Sequence, residues 1–276
     1  MINLNNFRSN YYMNYGINEC PFYGEDGVIL KIFENIKPSK KPTCVEFGES
    51  RVLGTTTRSF RIKYISKALY FTGDYNFKSF YLNILDIFKV ILKNKNFKYL
   101  KFLFNMPFKF FVDINNIIKI FEKNKIDKNL DVLTVDIDSY DYYLVKKLLV
   151  NKYLPKLMIV EYNPSLGLNR SLTFPLNNKN KITNKRQYGA SFKAYNELLN
   201  KEGYKLVFVS GFCNLFYVRN EFSNMFIEPN INEEITDTNK KVLEYIEKFC
   251  QEGFIPSWLN DPQLNKKELK IFDEIN

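Results

Sequence analysis

Apolar residues in this chain occur in short continuous runs that alternate with segments of helical spacing. Continuous apolar runs are typical of strands buried on both faces, and residues 132–135 and 157–160 have this character. The apolar positions between these runs recur at helical spacing: Leu144, Val145, Leu148 and Leu149. The segment from Asp131 to Ser165 is therefore predicted to form a strand, a helix and a second strand parallel to the first.

The same alternation continues on both sides of this unit. Further strands are predicted over residues 43–48, 68–73, 205–209 and 215–218, and further helices over residues 27–36, 191–202 and 233–251. The last two strands flank Gly211 and are predicted to form an antiparallel hairpin. The pattern predicts an α/β fold, Rossmann-like, with a mostly parallel sheet and an antiparallel C-terminal hairpin.

Two segments fall outside this alternation. Residues 76–112 are rich in Phe, Tyr, Ile and Lys, and they predict a helical insertion that packs on the sheet. A lid, a homo-oligomer surface or a membrane-touching face are the alternatives for this insertion. Residues 221–276 predict a C-terminal helical extension, so the α/β domain is expected to cover residues 1–220.

Composition limits the classes of partner. The 276 residues carry a net charge of +10, but only seven of the 40 basic residues are arginine, the residue favoured for reading nucleic acid. We therefore expect no nucleic-acid role, although attraction to anionic ligands such as nucleotides fits the charge.

Histidine is absent from the chain, which excludes Ser-His-Asp and Cys-His catalysis and any imidazole metal site. The four cysteines are scattered and form no CxxC pair, as expected of reduced thiols in a cytoplasmic protein. The polar start lacks the apolar core of a signal peptide, and no run approaches the ~20 apolar residues of a membrane span.

Carboxylates collect where the predicted parallel strands end. Asp136, Asp138 and Asp141 follow the first strand of the central unit, and Glu161 ends the second. Ligands of open parallel sheets bind beyond the carboxyl ends of the strands. These four acids are therefore placed for chemistry, although the helix dipole alone would also favour Asp141 in a first turn.

Short motifs along the chain resemble the FkbM-type S-adenosylmethionine-dependent methyltransferases, in the branch with a GED box. The matching pieces are YGEDGVILKIF from Tyr23, VEFG from Val45, TTR from Thr56, GD at Gly73, VDIDSYDYY from Val135, IVEYNPSLG from Ile159 and YGAS from Tyr188. The resemblance covers residues 22–219 and implies a class I methyltransferase-like fold. It also implies S-adenosylmethionine as cofactor, bound by residues at the strand ends and in the GED box: Glu25, Glu46, Gly48, Glu49, Asp74 and Asp136.

VDIDSYDYY is also similar to the IDGDxY segment of metal-dependent sugar O-methyltransferases. This similarity implies a divalent cation, Mg²⁺ or Mn²⁺, held by Asp138 and Glu161 with help from Asp136 or Asn163. Such a cation would lower the pKa of an acceptor hydroxyl, and Asp141 would then be the catalytic base with Asp138 beside it. Asp136 has an alternative role as a hydrogen-bonding residue within the sheet.

The expected substrate is a sugar hydroxyl, carried by a nucleotide-linked sugar or a surface glycan. The residues expected to contact it are Arg58, Asn163, Tyr188 and Ser191, and Ser191 could instead be a helix N-cap. One alternative is a nucleotide-sugar glycosyltransferase that uses DID as a DxD motif. Another is a degenerate domain that binds a glycan or a partner without catalysis, since Ser50 and Arg51 stand where the family usually has a glycine and an acid.

Overall fold

The structure is a computed structural model of the chain. It describes residues 1–7, 25–48, 52–53, 55–64, 66–73, 76–176, 187–210, 214–232, 264 and 266–275.

A seven-stranded sheet forms the centre of the molecule. In chain order, the strands of the protein are β1 (Thr43–Phe47), β2 (Lys67–Thr72), β3 (Phe108–Lys109), β4 (Val132–Val135), β5 (Leu157–Glu161), β6 (Leu172–Thr173), β7 (Tyr204–Ser210), β8 (Asn214–Arg219) and β9 (Asp273–Glu274). The sheet has the order β3-β2-β1-β4-β5-β8-β7, while β6 and β9 form a separate antiparallel pair. Strands β1 to β5 are parallel, and β8 is antiparallel to both β5 and β7. The predicted Rossmann-like sheet with an antiparallel C-terminal hairpin is confirmed.

Helices cover both faces of the sheet. They are α1 (Glu25–Ile36), α2 (Arg58–Tyr64), α3 (Phe77–Asn94), α4 (Ile117–Lys123), α5 (Asp141–Val150), α6 (Phe192–Lys201), α7 (Asn220–Ser223) and α8 (Lys266–Leu269), with 3-10 helices at Leu4–Phe7, Phe97–Asn105 and Pro164–Leu166. Residues of β4 and β5 alternate between two buried clusters: Leu133 and Val160 pack with α4, α5 and α6, whereas Val132 and Ile159 pack with α1. Burial on both faces explains why these strands are continuous apolar runs.

The strand register brings the acidic strand ends together. Val135 of β4 pairs with Phe47 of β1 on one side and with Val160 of β5 on the other. The residues that follow these positions, Gly48, Asp136 and Glu161, therefore lie side by side at the carboxyl edge of the sheet.

The aromatic insertion consists of two helical segments and an edge strand. Asn76 caps α3 by accepting a hydrogen bond from the Ser79 amide, and the helix ends at Lys95, which has a φ of +47°. α3 and the 3-10 helix at Phe97–Asn105 share a small core with the turn after β1: Val52, Leu53, Ile87, Val90, Ile91, Tyr99 and Phe102. The segment then returns to the sheet as β3, which two residues are too few to predict from periodicity.

The end of the predicted C-terminal extension packs on the α/β domain. β9 pairs with β6, and Leu264 and Phe272 pack against Leu172 and Phe174. The predicted helix over residues 233–251 lies outside the described residues. Among the residues that the structure describes, none of the helices combines the length and apolar character needed to cross a bilayer.

Candidate active site

A cleft of about 400 Å³ opens at the carboxyl edge of the sheet. The ends of β1, β2 and β4 and the segment after β3 line it, through residues that include Gly48, Thr72, Phe111, Thr134, Asp136 and Asp138. Small-molecule sites occupy clefts of roughly this size, from about 300 to 1,000 Å³, at this edge of open α/β sheets. The cleft therefore has the size and position of a ligand site.

Gly48 brings the end of β1 against the end of β4. Its φ is +106°, and a Cβ at this position would lie 1.5 Å from the backbone oxygen of Asp136. Only glycine tolerates both the dihedral angle and the close approach. The glycine predicted at the cofactor site thus sets the spacing between two walls of the cleft.

Three carboxylates meet beside the cleft. Asp136, Asp138 and Glu161 each offer an oxygen, and these oxygens all lie within 4.8 Å of one another. Asp138 has a φ of +53°, a left-handed conformation that aspartate tolerates better than most residues. Asp138 is exposed as a residue, whereas Glu161 is buried.

The carboxylates of this cluster repel one another when all of them are ionised. Burial raises the pKa of Glu161 well above its usual value, and the charges of Asp136, Asp138 and Asp141 raise it further. Partial desolvation also raises the pKa of Asp138, although the residue as a whole is exposed. A group of carboxylates that repel one another in this way suits a hard divalent cation, which prefers oxygen ligands. The donor set therefore fits the predicted metal.

Asp141 accepts hydrogen bonds from the backbone of the loop that precedes α5. Its Oδ1 accepts a hydrogen bond of 2.7 Å from the Ile137 amide, and its Oδ2 accepts one of 2.9 Å from the Ser139 amide. Burial raises the pKa of Asp141 to about 6, against the effect of these amides. The side chain is 1% exposed and does not line the cleft. Asp141 thus holds the loop that carries Asp138, and this arrangement disfavours the predicted role as base.

Glu46 lines the cleft, but its carboxylate already accepts hydrogen bonds from neighbouring residues of the protein. Its carboxylate accepts hydrogen bonds from the amides of Thr56 and Thr57 and from the Thr57 hydroxyl, at 2.9, 3.3 and 2.8 Å. Burial raises the pKa of Glu46 above its usual value. The TTR motif therefore stabilises the turn before α2 through Glu46, in addition to any contact that Glu46 makes with a ligand.

Two predicted site residues lie away from the cleft. Glu25 is buried and accepts a hydrogen bond of 3.0 Å from the Asn214 side chain. Arg58 is buried in an ion pair with Asp26 at 3.3 Å and donates to the Leu53 carbonyl. These contacts attach α1 to β8 and to α2, and neither residue lines the cleft.

The predicted substrate residues after β5 form a buried loop. Asn163 donates to the Tyr188 carbonyl and accepts from the Ser165 amide. Ser191 caps α6 by accepting from the Ala194 amide, and its hydroxyl also donates to the Arg170 carbonyl. The N-cap alternative for Ser191 is the one that the structure supports, and Tyr188 is half-buried beside it. Predicted cofactor residues Glu49 and Asp74 lie outside the described residues.

The structure adds cleft residues that the sequence reasoning missed. Thr134 lines the cleft, and its buried hydroxyl has no hydrogen-bond partner among the described residues. Phe110 and Phe111 form an apolar wall, with the Phe111 ring 3.1 Å from where a Cβ on Gly73 would lie. Thr134 stands two residues before Asp136 in a strand, so the two-residue period could have placed both on one face.

Several solved structures are similar to this chain. An O-methyltransferase from Bacillus cereus in complex with SAH is 13% identical with a TM-score of 0.42, and the match covers 79% of this chain and 90% of that one. TrmK of M. capricolum in complex with S-adenosylhomocysteine is 13% identical with a TM-score of 0.34, over 88% and 91% of the two chains. A SAM-dependent methyltransferase from Aquifex aeolicus is 11% identical with a TM-score of 0.31, over 78% and 95%.

Neither the family models nor the curated protein sequences give a match to this chain. At this level of structural similarity, function has to be inferred from the residues of the chain itself.

Proposed function

We propose that this protein is an S-adenosylmethionine-dependent O-methyltransferase that acts on a sugar hydroxyl with the help of a divalent cation. The observation that carries the proposal is the meeting of Asp136, Asp138 and Glu161 beside a ligand-sized cleft at the carboxyl edge of a Rossmann-like sheet. The sequence motifs that resemble FkbM-type methyltransferases contribute residues to this same edge.

The cleft supplies the features needed to hold the cofactor. Gly48 allows close approach to the backbone at the end of β1. Thr134 lines the cleft and has a buried hydroxyl with no partner elsewhere in the described part of the chain, which a small shift of the side chain would bring to a ligand. Phe111 has an aromatic face against which a purine ring can pack. S-adenosylmethionine would supply the electrophilic methyl group for an in-line transfer.

The carboxylate cluster supplies the ligands for the cation. Asp136, Asp138 and Glu161 would hold Mg²⁺ or Mn²⁺, because all three present oxygens within 4.8 Å of one another. When bound, such a cation lowers the pKa of a neighbouring hydroxyl and so makes it a better nucleophile. A sugar with adjacent hydroxyls suits this site, since two oxygens of one ligand can share one cation.

The proton of the acceptor hydroxyl needs a base, and the chain contains no histidine. Asp138 is the exposed member of the cluster and lines the cleft, and its pKa is raised by partial desolvation. A carboxylate has two oxygens, so Asp138 can serve as a ligand with one and accept a proton on the other. We assign the base role to Asp138, because Asp141 is occupied by two backbone amides.

Transfer of a labelled methyl group tests the proposal. The purified protein would be incubated with methyl-labelled S-adenosylmethionine, Mg²⁺ and mixed nucleotide-sugars or surface glycans, and the label in the sugar fraction counted. We expect incorporation that is lost with chelator and with Asp138→Asn. The matched control is Asp273→Asn, an exposed aspartate on β9, which should keep full activity.

Other outcomes of this assay identify the competing functions. Release of free nucleotide from a nucleotide-sugar without methyl transfer would assign the DID motif to a glycosyltransferase. Binding of glycan with neither reaction would assign the chain to the non-catalytic class. Full methyl transfer in excess chelator would remove the cation from the proposal while leaving the methyltransferase.

A further inference from the structure

The outer side of the insertion carries a basic aromatic face. We define this face by six exposed apolar side chains of α3 and the following 3-10 helix: Phe77, Tyr81, Phe88, Leu92, Phe97 and Phe104. They are between 46% and 86% exposed. Single exposed apolar residues are ordinary, but several on one side of a helix, with more on the 3-10 helix that follows, indicate an interaction site.

The spacing within α3 shows that these residues share one side of the helix. Phe77, Tyr81, Phe88 and Leu92 are separated by four, seven and four positions, which is the repeat of a single helical face. A neighbouring side of α3 packs inside the protein, because Ile87, Val90 and Ile91 are buried in the small core of the insertion. α3 therefore buries one apolar side in that core and leaves a second apolar side exposed.

The segment that carries this face is rich in lysine. Residues 77–111 contain seven lysines and one acidic residue, Asp86, a net charge of +6 within a chain whose total is +10. Asp86 is buried, so the exposed charged side chains of the described segment are lysines. Among the side chains of the segment that the structure describes, the exposed lysines are Lys78, Lys89, Lys95, Lys98 and Lys109.

We propose that the basic aromatic face docks on an anionic phospholipid membrane surface. Aromatic and aliphatic side chains flanked by lysine suit the boundary between acyl chains and negatively charged headgroups. A second copy of the chain fits less well, because a symmetric contact through this face would bring two sets of lysines together. Docking is at the surface, since no described helix is long and apolar enough to span a bilayer.

The segment that carries the basic aromatic face also supplies residues to the wall of the cleft. Phe110 and Phe111, at the end of the same segment, line the cleft, and Phe111 is 76% exposed. Docking would bring the mouth of the cleft close to the headgroups, where a membrane-anchored glycan would be within reach. This consequence rests on the proposed function, whereas the docking itself does not.

Co-sedimentation with lipid vesicles tests the docking. The full chain would be mixed with vesicles of phosphatidylcholine alone or of equal parts phosphatidylcholine and phosphatidylglycerol. We expect binding to the anionic vesicles only, weakened by salt. The double variant Lys78→Glu/Lys98→Glu should lower the partition coefficient about tenfold or more. The double variant Phe77→Ser/Phe104→Ser should lower it about as much, because it removes two inserted rings.

Control variants separate the face from general surface properties. Lys146→Glu/Lys147→Glu reverses two exposed lysines on α5, and Val150→Ser removes an exposed apolar side chain there. Both controls should bind as the unmodified chain does. Failure of the unmodified chain to sediment with anionic vesicles would overturn the proposal. Binding of both face variants as tight as that of the unmodified chain would also overturn it.

Two further outcomes would assign the face to another partner. A concentration-dependent dimer in analytical ultracentrifugation, lost in the face variants and without vesicle binding, would assign it to a second copy. Binding of single-stranded RNA that depends on the face, again without vesicle binding, would assign it to nucleic acid. Methyl-transfer activity on a soluble acceptor is measured separately, so failure of docking and failure of the proposed function can be distinguished.

Discussion

Gly48 and Asp136 are in closer contact than any side-chain-bearing residue at position 48 would allow. The Cβ of an alanine there would lie 1.5 Å from the Asp136 carbonyl oxygen, and the backbone φ of +106° is itself unfavourable for alanine. This contact joins the ends of β1 and β4 at the cleft. It therefore links the stability of the sheet edge to the position of the first carboxylate in the cluster.

Replacing Gly48 tests this contact. Gly48→Ala should lower the free energy of unfolding by at least about 3 kcal/mol, because backbone strain adds to a steric overlap. Gly203→Ala is the matched control: it has a φ of +82° with no atom within 4 Å of the added Cβ, and it should cost only about 1–2 kcal/mol. Urea denaturation measures both. Equal losses of unfolding free energy in the two variants would mean that the steric overlap with Asp136 adds nothing to the cost of the backbone strain.

Thr134 should favour ligand binding at the expense of stability. Thr134→Val removes a buried hydroxyl that has no partner in the described chain, so the variant should be about 1 kcal/mol more stable and bind S-adenosylhomocysteine more weakly. Thr173 has another buried hydroxyl for which the described residues offer no partner. Thr173→Val should therefore be stabilised similarly and keep full affinity for S-adenosylhomocysteine. Thermal unfolding and calorimetry give the two quantities. Unchanged affinity in Thr134→Val would remove Thr134 from the site.

Asp141 should make stability depend on pH. Its pKa is raised from 3.8 to about 6 in the folded protein, chiefly by burial. A raised folded pKa means that the stability contribution is complete below pH 3.8 and is lost as the pH rises to about 6. The full loss is about 3 kcal/mol, since one pKa unit corresponds to about 1.4 kcal/mol.

The variant Asp141→Asn cannot ionise and isolates this effect. It loses one acceptor for a backbone amide, so it should be less stable than the unmodified chain at low pH. The deficit should shrink by about 3 kcal/mol between acidic pH and neutral pH, because only the unmodified chain loses stability through ionisation at this position. Urea midpoints at several pH values measure the difference, and parallel curves for the two proteins would contradict it.

Cation binding should depend on the carboxylate cluster and on pH. Mn²⁺ must compete with the proton that the raised pKa of Glu161 retains, so its affinity should increase from acidic to neutral pH. Glu161→Gln and Asp138→Asn should each weaken cation binding about a hundredfold or more. Removing a residue that only hydrogen-bonds to a metal ligand already costs about 10–100-fold in affinity, and removing a ligand itself should cost more. Asn tolerates the φ of +53° at position 138, so this variant should stay folded. Calorimetric titration measures the affinity, and pH-independent binding would contradict the assignment.

The sequence was sufficient to predict the architecture and the convergence of the acids. Continuous apolar runs gave β4 and β5, and the parallel pairing then required Asp136, Asp138 and Glu161 to lie at one edge. β3 could not be predicted, since its two residues carry no period. The missed strand explains why the insertion was expected to be helical throughout.

The roles of individual polar side chains were harder to predict. Asp141 and Ser191 have the residue types of catalytic or binding groups, but the local backbone folds around them and uses their oxygens. Such contacts depend on loop conformation, which residue type and spacing do not determine. Thr134 was not predicted as a site residue, because a threonine within a buried strand has the sequence pattern of an ordinary core residue.

Titration of S-adenosylhomocysteine into the unmodified protein tests the central claim most directly, because every proposed step needs the cofactor cleft. We predict saturable one-to-one binding, weakened by Thr134→Val and unaffected by Thr173→Val. Absence of heat at millimolar S-adenosylhomocysteine, with the protein shown to be folded, would contradict the proposal that this chain is a methyltransferase.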